Sequence, residues 1–180
     1  LTLGSDTNGS IRVPASLCGI FGLKPTFGRL SRAGTFPFVA SFDHVGPFAR
    51  SAGDLAAAYD AMQGHDAHDP ACAPRAAEHA GGSLDAGAHG LRVARLGGYF
   101  DRYVGDAAAA AVDTVCTALH AGRTVEWPEV ARARAAAFVI TATEGGALHL
   151  QTLRERPHEF DPLIRDRLIA GALTPAAWYL

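Results

Sequence analysis

GSDTNGSIRVPAS, from Gly4 to Ser16, places two glycines, three serines, an Asp-Thr-Asn run and a proline within thirteen residues of a 180-residue chain. A serine preceded by small residues in a sharply turning segment can present its hydroxyl to a carbonyl while neighbouring backbone N–H groups converge on the developing oxyanion. Thr7-Asn8-Gly9-Ser10 meets that requirement. Gly9 permits unusual dihedrals, and Asn8 is among the few other residue types that tolerate a positive φ. A plain turn or helix cap would use the same residues.

Outward from this stretch, composition sets the class. The chain is 48% hydrophobic and 19% charged, with a formal net charge of −2, which is the profile of a globular domain with a sizeable core. Both signs of charge are dispersed, so nothing marks a nucleic-acid or membrane surface. No apolar run approaches the ~20 residues of a membrane span, and no signal segment is visible. Cys18, Cys72 and Cys116 are odd in number and widely spaced, which reads as reduced thiols of a cytoplasmic protein, placed in the core.

Residues 1–50, rich in Gly, Pro, Ser and Phe, read as loops and buried strands. SAGDLAAAYDAMQG predicts a helix with Ser51 and Asp54 at its cap, Leu55, Ala58, Tyr59 and Met62 on one face, and Gly64 at its end. Residues 65–90 read as a surface connection. Beyond it, Leu91–Leu96 predicts a strand, Asp106–His120 a helix and TVEW another strand. Glu129–Leu153 predicts a long helix broken or bent near Gly145 and Gly146, and Pro162–Ala172 a shorter one. Alternating strands and helices indicate the α/β class. The chain opens on Leu1 and closes on TPAAWYL, where Thr174 and Pro175 predict the start of a further helix, so the expectation is one domain incomplete at both ends.

Asp6, Gly9, Ser10, Ile11, Arg12 and Pro14, then Gly22-Leu23-Lys24-Pro25 with Gly28-Arg29, then Gly46-Pro47 and Arg50-Ser51, occur in one order. Along residues 3–64 this resembles the signature region of the amidase signature family, a run similar to G-T-D-T-G-G-S-I-R-x-P-A followed by G-L-K-P-T-x-G-R and D-x-x-G-P-x-x-R-S. Two residues depart from that pattern: Ser5 stands for Thr, and Asn8 for Gly, adding a side chain expected to narrow the pocket. The resemblance implies a mixed β-sheet core surrounded by helices and hydrolysis of amide C–N bonds without metal or organic cofactor. It also implies Ser10 as acyl-ester nucleophile and an oxyanion hole from the N–H groups of Thr7, Asn8, Gly9 and Ser10.

The same resemblance places the family's base lysine and relay serine before Leu1, so this stretch alone is expected to be inactive. Lys24, the only lysine in the chain, is then structural. Asp6 and Arg12 read either as a brace behind the nucleophile loop or as a surface pair. Asp43-His44 with Ser10 would mimic a hydrolase triad, but adjacent residues rarely orient one another as a triad requires. His65, His68 and Cys72 with Asp66 and Asp69 read as solvated loop residues rather than metal ligands.

LGGYFDRYV, FVITATEGGALHLQTLRERPHEFDP and RDRLIAGALTPAAWYL are most similar to the branch of the family that hydrolyses 1-carboxybiuret. That branch implies a small ureido or amide carboxylate as substrate, a partner in the form of a small accessory subunit, and Glu144 and His149 near the substrate entrance; His149 also fits a satisfied helix residue. The glutaminase-type subunit of glutamyl-tRNA amidotransferase shares the signature and is the enzymatic alternative. A non-catalytic truncated remnant is the alternative of another class. Oligomeric state stays open.

Overall fold

The computed structural model describes residues 1–175 and 178. It separates into two compact units, one of Leu1–Asp85 with Ile140–Leu180 and one of Ala86–Val139.

The first unit is organised on three antiparallel strands in the order β1 (Thr2–Asp6), β3 (His44–Ala49), β2 (Phe21–Gly22). β1 runs against β3 from Thr2↔Phe48 to Asp6↔His44. Between β1 and β2 lies a short helix absent from the sequence reading, α1 (Arg12–Cys18). Pro14 sits in its first turn, where no intrahelical N–H is needed, and Gly19 ends it at φ 65°. α1 lies against the sheet through Ile11, fully buried, and Ala15. A Cβ on Gly22 would come within 2.9 Å of both, and one on Gly46 would fall on the Leu23 carbonyl. The two glycines of the signature therefore admit the residue that follows Ser10 into the sheet.

The helix α2 (Ala52–Met62) forms as its cap predicts, with the Ser51 hydroxyl accepting from the Asp54 N–H at 3.0 Å. It ends one residue before Gly64, at an extended Gln63, and buries Ala56 besides Ala58. Arg29, buried, donates to the Tyr59 hydroxyl at 3.0 Å and to Gln63, joining the G-L-K-P-T-x-G-R loop to this helix.

Residues 65–90 are less of a surface connection than their composition predicts. Asp69 and Cys72 are buried. The Asp69 carboxylate accepts from Arg32 Nε and Nη2, each at 3.0 Å, and from the N–H groups of Arg32 and Ala71. The Arg32 guanidinium, above all, holds that carboxyl well below the usual carboxylate range. Of the cysteines only Cys72 is buried; Cys18, at the solvent-facing end of α1, is exposed and Cys116 intermediate, and all three thiols are free.

Also in the first unit are the C-terminal part of α4 (Val130–Leu148), then α5 (Leu150–Glu155) and α6 (Pro162–Ala172), the last with Asp161 as its cap. The helix break falls at His149, not at Gly145-Gly146. The glycines instead let other chain segments approach: a Cβ on Gly145 would meet the Phe38 ring, one on Gly146 the Leu168 carbonyl at 2.5 Å, and one on Gly171 the Ala142 carbonyl. The expected start of a helix at Thr174-Pro175 runs into residues 176, 177, 179 and 180, outside the described residues.

The second unit holds a two-stranded parallel sheet, β4 (Arg95–Leu96) with β5 (Thr124–Val125), and the helix α3 (Asp106–Ala118). The strand predicted over Leu91–Leu96 is confined to its last two residues, the only ones with a partner in β5. Among the described residues no helix is long and apolar enough to cross a membrane.

The close approach of α4 and α6 is testable at its glycine. Gly171→Ala forces a methyl into backbone that no rotamer change can clear, and is expected to cost about 3 kcal/mol in urea unfolding. Gly53→Ala on α2, where a Cβ meets nothing closer than 3.8 Å, is expected to be neutral or slightly stabilising.

Candidate functional site

The last residue of β1, Asp6, is fully buried, and its carboxylate organises everything that follows it. Oδ1 accepts from the Gly9 N–H at 2.6 Å and Oδ2 from the Ile11 N–H at 3.2 Å. Arg12 closes the arrangement as a two-pronged donor, Nε to Oδ2 at 3.0 Å and Nη2 to Oδ1 at 3.1 Å. Burial alone would push the Asp6 carboxyl up, but Arg12 and the Gly9 and Ile11 N–H groups together outweigh it and hold the carboxyl below its ordinary value. The two charges thus form a brace, with the carboxylate enclosed and the guanidinium half exposed.

Within the turn so defined, Gly9 takes φ 131°, a value that L side chains rarely adopt. Asn8 does not use its tolerance for positive φ; among the described residues only Tyr103 and His120 do so without being glycine. The Gly9 N–H, one of the oxyanion donors expected over residues 7–10, is donated to Asp6 Oδ1.

Two further contacts hold the turn from outside. The Thr7 hydroxyl donates to Asp43 Oδ1 at 2.6 Å, and Asp43 Oδ2 accepts from the Phe38 and Val39 N–H groups at 2.8 Å. The Asn8 side-chain amide donates to Thr141 Oγ1 on α4 at 3.0 Å.

The cleft has a volume of about 140 Å³ and is lined by Ser5, Thr7, Ser10, Arg32, Thr35, Phe36, Phe38, Asp43, His44 and Val45. Ser5 shares the cleft with Ser10, whereas Ser16 lies exposed on α1. The ring of Phe36, which lines the cleft, stacks on His149 at 5.7 Å, and His149 meets Phe160 edge-on at 5.9 Å. Glu144 accepts from the Ser41 N–H at 3.0 Å and from its hydroxyl.

Asp43 and His44 both line the cleft, but they do not face each other as triad members. His44 Nδ1 lies 2.5 Å from the Phe42 carbonyl, which can only accept, so this nitrogen carries the proton. Its Nε2 lies 3.2 Å from Lys24 Nζ and accepts from it. Lys24 also donates to the Pro25 carbonyl at 3.1 Å. In the 65–72 segment, Asp66 accepts from the Ser31 hydroxyl at 2.7 Å and from His68, and these bonds, Ser31 first, hold its carboxyl at about 2.

Sequence reasoning missed Thr141, Arg32, Thr35, Phe36 and Phe38 as neighbours of the loop. Thr141 lies 133 positions from Asn8, and no local pattern signals such a pairing. Phe36 and Phe38 belong to an apolar run that reads equally well as core.

A model of the family described as Amidase matches residues 1–171. The chain is 59% identical over 180 residues to AtzE of Pseudomonas sp. (strain ADP), a component of 1-carboxybiuret hydrolase, covering all of this chain and 39% of that protein. It is 46% identical over 117 residues to a glutamyl-tRNA(Gln) amidotransferase subunit of Anaeromyxobacter dehalogenans, covering 63% of this chain and 24% of that one. Among solved structures, a vestigial protein complex described as revealing the evolutionary origins of an s-triazine catabolic enzyme superposes with a TM-score of 0.95 at 59% identity, over 98% of this chain and 39% of that one. The mixed α/β arrangement is thus part of the amidase signature fold, and the chain spans well under half the length of these relatives.

The brace is testable by its charge. Asp6→Ala strands two backbone donors and a guanidinium, and is expected to lower stability by about 2–4 kcal/mol at pH 7. A carboxyl whose folded-state value is depressed stabilises fully above its unfolded value of about 3.9 and loses that contribution as pH falls through the folded value. Urea unfolding at pH 7 and pH 3 is therefore expected to show a wide gap between wild type and variant that shrinks in acid.

Proposed function

The chain belongs to the amidase family, and from that premise we propose that it is the nucleophile-bearing part of an amidohydrolase acting on small linear amides or ureido carboxylates, with 1-carboxybiuret as the foremost candidate. The observation that carries this reading is the Ser10 hydroxyl at a cleft of about 140 Å³, on a turn whose N–H groups are set by a buried carboxylate. The 59% identity to a component of 1-carboxybiuret hydrolase over the whole chain supports the substrate class.

In this scheme Ser10 Oγ attacks the substrate carbonyl and gives up its proton. A serine hydroxyl is a poor nucleophile until a neighbour takes that proton. By the family pattern the acceptor is a neutral lysine acting through a relay serine, both from sequence outside residues 1–180. The tetrahedral oxygen then draws on the N–H groups of Thr7, Asn8 and Ser10, a well-aimed donor being worth roughly a hundred- to a thousandfold in rate. Collapse breaks the C–N bond, the proton returns to the departing ammonia or amine, and water hydrolyses the Ser10 ester. The scheme draws on no metal or organic cofactor. A small accessory subunit is the proposed partner, by analogy with the relative solved as a complex, and the enzyme is proposed to be cytoplasmic.

A second reading, the glutaminase component of a tRNA amidotransferase, is favoured by the 46% identity over 117 residues. Ammonia release by the complete protein separates the two. Turnover of 1-carboxybiuret in preference to biuret, glutamine and simple amides is expected, with Ser10→Ala lowering it by at least roughly a thousandfold. Preference for glutamine supports the second reading, and release from no amide supports a non-catalytic remnant.

A further inference from the structure

We infer that Thr141 is a positioning residue for the nucleophile loop, acting through the side chain of Asn8; this rests on the reading of Ser10 as nucleophile. Thr141 is 2% exposed in the middle of α4, and its hydroxyl oxygen receives the Asn8 amide at 3.0 Å. Asn8 itself is exposed, so this bond ties a solvent-facing loop residue to a buried point of the framework. Its peptide lies between the Thr7 peptide, whose side chain is held by Asp43, and Gly9, whose N–H is held by Asp6.

Three consecutive loop residues are therefore fixed by three different parts of the chain: the end of β1, the residue that precedes β3, and α4. The Asn8 N–H is one of the three donors left for an oxyanion once Gly9 is committed to Asp6. Donors stabilise charge in a transition state only if they are aimed before the charge develops, and an anchor on the side chain of the same residue that carries the donor restricts that aim. The next turn of the same helix supports the other side of the loop. Glu144, three residues after Thr141, accepts from the Ser41 N–H at 3.0 Å, and Ser41 lies two residues before the Asp43 that holds Thr7. A glycine in place of Asn8, as the family pattern has, offers no side chain for this bond, so the anchor is particular to chains with this pairing.

The test uses the complete protein and a fluorophosphonate probe, read as the rate of labelling at Ser10 and as amide hydrogen exchange across residues 7–11. Thr141→Val removes the acceptor at nearly constant volume and is expected to slow labelling roughly fivefold, the equivalent of one hydrogen bond. Asn8→Gly, which removes the donor of the same bond at an exposed position, is expected to slow it by a similar factor. The double variant is expected to be no slower than either single one, since both remove the same bond. Thr141→Ser is expected to restore the rate to within about twofold, which a purely volumetric role of the threonine would not produce.

Labelling of Thr141→Val at the wild-type rate, or additive losses in the double variant, overturns the inference. The exchange readout stands apart from the chemistry. Faster exchange across residues 7–11 in both single variants supports the anchor even if wild type fails to label at Ser10, an outcome that would sink the nucleophile reading alone. Unchanged exchange overturns the anchor whatever the labelling shows.

Discussion

One buried carboxylate sets the geometry on which the site depends. Asp6 lies at the end of a strand, out of contact with solvent, and a carboxylate there is tolerated only if its lone pairs are filled. The chain fills them from the next six residues: two backbone N–H groups and a guanidinium fold back on it. That requirement forces the chain to turn sharply between Asp6 and Ile11, places a glycine at φ 131° in the turn, and leaves Ser10 between two constrained neighbours. The loop that carries Ser10, the proposed nucleophile, is shaped by the need to satisfy a buried charge, and the presentation of Ser10 follows from that.

The rest of the first unit holds the two ends of this turn. On one side, β1 is paired along its length with β3, which brings His44 opposite Asp6 and sets Asp43 beside Thr7. On the other, Ile11 is buried against Gly22 and Gly46, so the chain leaving the turn enters the sheet at a fixed point. A second ion pair, Arg32 with the buried Asp69, does for the loop over the cleft what Arg12 and Asp6 do for the turn that carries Ser10. Arg32 also donates to the Ala40 carbonyl at 2.6 Å, so the segment that carries Phe36 and Phe38 is spanned by one guanidinium. In both cases arginine supplies a planar fork that satisfies a carboxylate and braces a loop at once.

Much of this was legible where the signal is local. Ser51 and Asp54 announce α2, Pro162 announces α6, and the order of Gly, Asp, Ser and Arg around residue 10 marks the loop. What the sequence did not reveal depends on distant partners. Gly145 and Gly146 read as a break because glycine weakens an isolated helix; they stay helical because Phe38, Leu168 and Ala172 occupy the space their side chains would need. Asp69 reads as solvated because its neighbours are Ala, His and Pro, yet Arg32 draws that segment inward, and Cys72, which reads both as a core thiol and as a loop residue, is buried with it. α1 was hidden by Pro14, which is harmless in a first turn. The pairing of Asn8 with Thr141 has no local signature, and Asn8 alone reads as a turn residue.

The central claim is that Ser10, and not Ser5 beside it in the same cleft, is the attacking residue. The most direct measurement is to expose the complete protein to a fluorophosphonate probe, digest it, and map the adduct by tandem mass spectrometry. The phosphonyl group is expected on Ser10, with none on Ser5 or Ser16. An adduct on Ser5 or on any other residue, or no adduct under conditions in which the protein hydrolyses its substrate, would contradict it.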